Sequence, residues 1–325
     1  MASSLVLSVG SIVSIVAMAR LALPSVVGQY VSVLAAASTV STFLSLRLDA
    51  MIPLRPGQDE VAKAATSAQV GTMVLALPAL LAYATLVVDG SLLNPAGIVL
   101  LAAALLVLGF TQVGTGIASA ELAFGRISAS RIAQGLAMPL VLAGLLLVNG
   151  QNSASLTMLV AADLVGRSAA LLPLIRLIVA KGAGSLAVTR RTVAEMRSAL
   201  TTNSAAALLS VLALYLPILL VPAMIDETES GLFALVFRFV ALPAAFVGGA
   251  VQRTLPRMAR DVTISQKREW VRNTGWFGLG LCVVGVLTLV VFGGLVLDLV
   301  GSDTWEGLVL PLTLAVPWAI AWAAS

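Results

Sequence analysis

Histidine is absent from the 325 residues, and cysteine occurs once, as Cys282. The first absence excludes imidazole general bases, histidine metal sites and histidine pH switches. The second excludes a disulfide within the chain, and Cys282, set in an apolar run, reads as an inert buried thiol. Charge is scarce too. Asp, Glu, Lys and Arg make up 10% of the chain, against about 25% in a soluble domain. No strand-period alternation runs through the sequence, which excludes a transmembrane β-barrel. There is no Walker A run, no Asp-x-Asp pair and no Ser or Cys nucleophile with a histidine base, so no enzyme and no cofactor is expected.

What is there is apolar sequence. Hydrophobic residues account for 59% of the chain and the mean hydropathy is +1.04. The expected fold class is all-α, a polytopic membrane protein with about ten transmembrane helices. The spans fall near 5–22, 28–46, 67–88, 96–119, 131–148, 156–178, 203–225, 231–251, 274–297 and 307–325. The start of the chain lacks the basic stretch of a cleaved signal peptide and reads as the first span.

The basic residues give the spans a direction. Of the nineteen lysines and arginines, all but Arg20, Arg167 and Arg238 lie in or at the edge of the turns after spans 2, 4, 6 and 8. The opposite turns carry Asp89, Asp226, Glu227, Glu229, Asp298, Asp303 and Glu306. Positive residues mark the cytoplasmic side, so both termini are expected there, in the plasma (inner) membrane. The same distribution explains the high pI of 9.7 without nucleic acid, which is not an expected partner. The longest basic link, 181–202, holds an amphipathic turn through Arg190, Glu195 and Arg197. It separates an N-terminal lobe, residues 1–180, from a second segment, residues 203–325.

A charge inside a span is the first place to look for function. At a helix centre it costs roughly 2.5–3.5 kcal/mol on insertion scales, so it should face protein or water. Arg238 meets that description, lying between the acidic knot at Asp226–Glu229 and the basic cluster Arg253, Arg257 and Arg260. It reads either as a cationic contact for an anionic group or as a structural charge bonded to backbone carbonyls. Arg20, at the outer end of span 1, reads as a second such contact or as an interfacial anchor. Asp163 and Arg167 are four apart, share a helix face and should pair; an ion-coupling site at Asp163 is the alternative. Hydroxyls with Ser38, Thr42 and Ser45 in span 2, and Thr111, Gln112 and Thr115 in span 4, would line a polar cavity or serve as packing faces.

Three stretches resemble the Wzx-type polysaccharide and oligosaccharide flippases, which are related to the lipid II flippase. All belong to the multidrug/oligosaccharidyl-lipid/polysaccharide exporter superfamily. The first is Phe237-Arg238-Phe239, Leu242-Pro243, Gly248-Gly249 and Pro256-Arg257. The second is Gly28-Gln29-Tyr30 with Arg47-Leu48-Asp49-Ala50-Met51-Ile52-Pro53, where Leu48 and Asp49 replace the family's Tyr and Glu. The third runs from Arg126-Ile127-Ser128 through Arg131-Ile132-Ala133-Gln134.

The resemblance implies a two-lobed transporter fold that exports a polyprenyl-diphosphate-linked oligosaccharide, with Arg238 and Arg20 facing the cavity. Alternating access would be the mechanism, and a polysaccharide polymerase and glycosyltransferases the partners besides lipid bilayer and substrate. A drug/cation antiporter of the same superfamily and a non-transporting membrane subunit of a polysaccharide assembly complex are the alternatives.

Two lobes should leave an internal repeat. A shift of 203 positions superposes Gly28 on Gly231 and Tyr30 on Phe233, although few identities accompany them. Family members have at least twelve spans, so an incomplete second lobe is expected. The final run, Leu308 to Ser325, also lacks the basic flank that fixes the other inner turns.

Overall fold

The structure is a computed structural model that describes residues 2–44, 48–54, 59–71, 95–182, 184–221, 224–226 and 228–238, with the single positions 269, 272, 273, 276 and 280. Among the described residues every regular element is helical and there is no strand. In chain order they are α1 (Ala2–Leu21), α2 (Pro24–Leu44), the short α3 (Leu48–Met51) with a tight turn at Ile52–Leu54, and α4 (59–71). Then follow α5 (Pro95–Ala120), α6 (Phe124–Asn149), α7 (Leu156–Lys181), α8 (Leu186–Glu195), α9 (Arg197–Leu220) and α10 (228–238).

Among the described residues three stretches are long and apolar enough to cross a membrane: Val99–Ala120, Phe124–Asn149 and Leu156–Lys181. The outward faces of the second and third are apolar as well. Leu140, Leu147, Val148, Leu172 and Val179 are all exposed. A helix apolar all round has no favourable face toward water, and a hydrocarbon surround removes that conflict.

With lipid outside, helices associate by close packing of small residues rather than by hiding apolar area. The contacts follow that rule. α1 lies on α6 where Gly10 faces Gly135, so closely that a β-carbon on Gly10 would strike the Gly135 backbone. α6 lies on α7, with Ser130 Oγ donating to the Ala170 carbonyl at 2.6 Å. α7 continues onto α5, and α2 packs on α9, where Ser32 Oγ donates to the Ile218 carbonyl at 3.4 Å. α10 meets α2 at a second glycine pair: a β-carbon on Gly28 would lie 3.0 Å from Gly231 Cα.

Connections are tight and their backbone groups are used. Ser155 caps α7 by accepting from Met158 N–H, and Ser185 caps α8 by accepting from Val188 N–H. The turn before α7 also serves α1: Asn152 N–H donates to the Arg20 carbonyl at 3.0 Å and Ala154 N–H to the Leu21 carbonyl at 2.8 Å. Two carbonyls at a helix end, which have no partner within the helix, are satisfied this way.

Two expectations shift. The fifth span was placed from 131, but α6 begins at Phe124, so Arg126 and Arg131 lie in its first two turns rather than in a loop. Hydropathy falls there because charges enter the window; a helix end at an interface tolerates them. The link 181–202 is also mostly helix, comprising α8 and the start of α9. It docks on α4, with Gly184 N–H donating to the Lys63 carbonyl at 3.2 Å and Ser67 Oγ to the Gly184 carbonyl at 2.8 Å. Spans 9 and 10 lie outside the described residues, apart from the single positions 276 and 280.

Candidate functional site

The apolar core between α1, α2, α7, α9 and α10 contains Met18, Tyr30, Val160, Ile218 and Phe237. Four polar side chains are set into or beside it. Arg238, on the last described turn of α10, is half-buried. Its Nη1 donates to Met18 Sδ of α1 at 3.4 Å, across 220 residues of sequence. Its guanidinium carbon lies 5.2 Å from the centroid of the Tyr30 ring on α2. That distance is within the roughly 6 Å at which a cation is held by the electron-rich face of an aromatic ring.

Tyr30 is fully buried, and its hydroxyl makes no well-aligned hydrogen bond among the described residues, with the Arg238 guanidinium within its reach. Beyond it lies α7. Asp163, 3% exposed, accepts from Arg167 Nε one turn along the same helix. Both charges of that pair are within electrostatic reach of Tyr30, as is Arg238, while Tyr215 of α9 lies within reach of Arg167. The structure therefore joins two features that sequence spacing leaves separate. Tyr30 lies within electrostatic reach of both the lone arginine and the matched pair.

Charge decides what this arrangement can do. Asp163 and Arg167 neutralise each other, so neither is a free ion. Among the described residues Arg238 forms no ion pair. Its neighbours are a sulfur, which accepts weakly, and a ring face. A guanidinium offers five N–H donors in a planar fork suited to carboxylate or phosphate. The cluster carries net positive charge in apolar surroundings, which is the electrostatic requirement for holding an anion.

The other predicted site residues are placed as follows. Arg20 is half-buried at the end of α1, its carbonyl engaged by Asn152. Thr111 Oγ1 donates to the Val107 carbonyl and Thr115 Oγ1 to the Thr111 carbonyl, both at 2.7 Å, so both hydroxyl protons are turned onto their own helix. Gln112 and Ser38 are half-buried. Thr42 lies on α2 with its side chain outside the description, and Ser45 lies outside the described residues. Sequence reasoning missed Met18 altogether and named Tyr30 only within a motif and in the 203-residue repeat. The signal available for Tyr30 was its position two residues after the glycine that pairs with Gly231.

A second charged cluster sits at the far end of α7. Lys181 Nζ donates to Asp59 Oδ1 at 2.8 Å and lies 3.0 Å from Glu121 Oε1, joining the ends of α4, α5 and α7. The hydrogen bond from Lys181 holds the Asp59 carboxyl below its usual range. Among the described residues no three His, Cys, Asp or Glu side chains gather as a metal site would require.

Among the described residues the fold is all-helical, with three helices able to span a membrane and an arginine in the core that forms no ion pair. No family model, curated protein or solved structure matches the chain.

Proposed function

We propose that the chain is a transporter of about ten transmembrane helices in two lobes. It carries a polyprenyl-diphosphate-linked oligosaccharide from the cytoplasmic to the outer leaflet of the plasma membrane. The observation that carries this reading is Arg238, half-buried, cushioned by Tyr30 and Met18 and given no acidic partner among the described residues. An arginine inside a membrane protein is retained at a cost, and a diphosphate fits its fork bidentately.

Two packing features support the two-lobed part of the reading. Gly28 and Gly231, which the 203-residue shift superposes, touch each other. Helices α1 and α2 correspond under that shift to α9 and α10. Accordingly α2 packs on α9, while α10 reaches α1 through Arg238 and Met18. Exchange of partners of this kind is what a pseudo-two-fold axis produces. The ion pair of Asp163 speaks against the antiporter alternative, since a coupling carboxylate must be free to bind a cation.

The test is glycan export in cells that depend on this chain. Arg238→Ala should abolish export while the protein remains inserted and abundant. Arg238→Lys should keep a fraction, because charge survives but the planar fork does not. Normal export by the alanine variant would end the assignment.

A further inference from the structure

The reading of Arg238 as the anion contact leaves open what holds the guanidinium ready, and the inference here rests on that reading. We propose that the Tyr30 ring is the positioning residue of the site. It forms an aromatic floor that fixes Arg238 without neutralising it, so that the N–H edges stay available to a phosphate group.

Three observations carry this. The first is the placement of the guanidinium carbon, 5.2 Å from the ring centroid, with Nη1 reaching the Met18 sulfur. A carboxylate in the same place would hold the arginine more firmly, but it would occupy the donors that an anion needs. A ring face attracts the cation and takes up none of its in-plane N–H groups. The second is the state of Tyr30 itself. Its hydroxyl is buried with no well-aligned hydrogen bond among the described residues, the Arg238 guanidinium being a donor within its reach. What the site uses is the ring. The third is the approach of the helices. Gly28 and Gly231 bring the backbones of α2 and α10 together, and Arg238, seven residues after Gly231, falls on the same face of α10. Asp163, also within reach of Tyr30, is bound to Arg167 and is not a free negative charge that would draw Arg238 away.

The experiment measures binding of inorganic pyrophosphate to the purified full chain in lipid nanodiscs by calorimetry. Tyr30→Phe and Tyr30→Trp keep a ring and should bind within about twofold of the parent protein. Tyr30→Leu should bind about tenfold more weakly. In an Arg238→Ala background Tyr30→Leu should add no further loss, because a floor without its cation does nothing. Tyr30→Leu binding as tightly as the parent would overturn the assignment, and so would Tyr30→Phe losing as much as Tyr30→Leu. Thermal unfolding separates a folding defect from the specific one: Tyr30→Phe should melt no lower than the parent protein. Absence of pyrophosphate binding by the parent protein is a different failure. It would remove the anion reading of Arg238, and the role of Tyr30 with it.

Discussion

Lys181 and Arg238 are both cations carried on helices, and the molecule provides for them in opposite ways. Lys181, at a solvent-accessible end of α7, has two carboxylates for one charge. Arg238, in the apolar core, has among the described residues a thioether and an aromatic face but no ion pair. Electrostatics alone would favour the reverse, because a matched pair matters least where water already screens it. Asp163 shows that the chain does place a carboxylate in the interior, and gives it to Arg167 instead. Among the described residues, then, the Lys181 cluster fastens helices together by charge, while the interior arginine meets a sulfur and a ring face instead of a carboxylate.

The largest effect should come from unmatching the pair that is matched. Asp163→Ala leaves Arg167 buried without its partner, and breaking such a pair costs roughly 3–5 kcal/mol. We expect a marked fall in the unfolding temperature of the purified protein. The double variant Asp163→Ala/Arg167→Ala should recover much of that fall. If the double variant is no better than the single one, the two residues are not coupled. Loss of export in Asp163→Asn at unchanged protein level would point instead to ion coupling.

A smaller effect should follow from separating the helices that bring Arg238 over Tyr30. A β-carbon on Gly231 would collide with the backbone at Pro24, so Gly231→Ala must push α10 off α2. Overpacking of this kind costs typically about 1–3 kcal/mol. Pyrophosphate affinity should fall along with thermal stability. Affinity unchanged at lowered stability would uncouple the glycine contact from the site.

The smallest effect belongs to the surface cluster. Asp59 is held below its usual range in the folded protein, so its contribution to stability is present above the unfolded value of about 3.9 and fades as pH falls below it. Melting curves between pH 7 and pH 3 should show this acid-side loss in the parent protein and less of it in Asp59→Asn. Salt should diminish the difference at neutral pH, because the pair is exposed. A salt-independent difference would mean that the Lys181 contacts are not screened as their position requires.

Part of this was legible in the sequence for identifiable reasons. Asp163 and Arg167 are four apart, a spacing that on a helix fixes a contact without knowledge of the fold, and they pair. Arg238 stands out because a charge among apolar residues is conspicuous at any resolution of reading. Its neighbours were not legible. Met18 and Tyr30 lie some two hundred positions away, and a methionine or tyrosine in an apolar run carries no signal of a cation above it.

The threonines of α5 show a different limit. Their four-residue spacing is plain, but the same spacing serves a cavity-lining face and a helix whose hydroxyls turn back to its own carbonyls, and Thr111 and Thr115 do the latter. Helix boundaries slipped where charges enter an end, as at Arg126 and Arg131 in α6. Hydropathy measures lipid preference, whereas the helix ends where the backbone turns, at Leu122 and Ala123.

Among the described residues Arg238 has no carboxylate partner, and the proposed role leaves that place to an anion. Met18→Glu tests it most directly, since the new side chain is close to methionine in length and would stand where Nη1 now reaches sulfur. Met18→Gln supplies the same shape without the charge. Pyrophosphate binding to each purified variant is the measurement. Met18→Glu should fold normally and lose binding, while Met18→Gln should retain it. Undiminished binding by Met18→Glu would contradict the account.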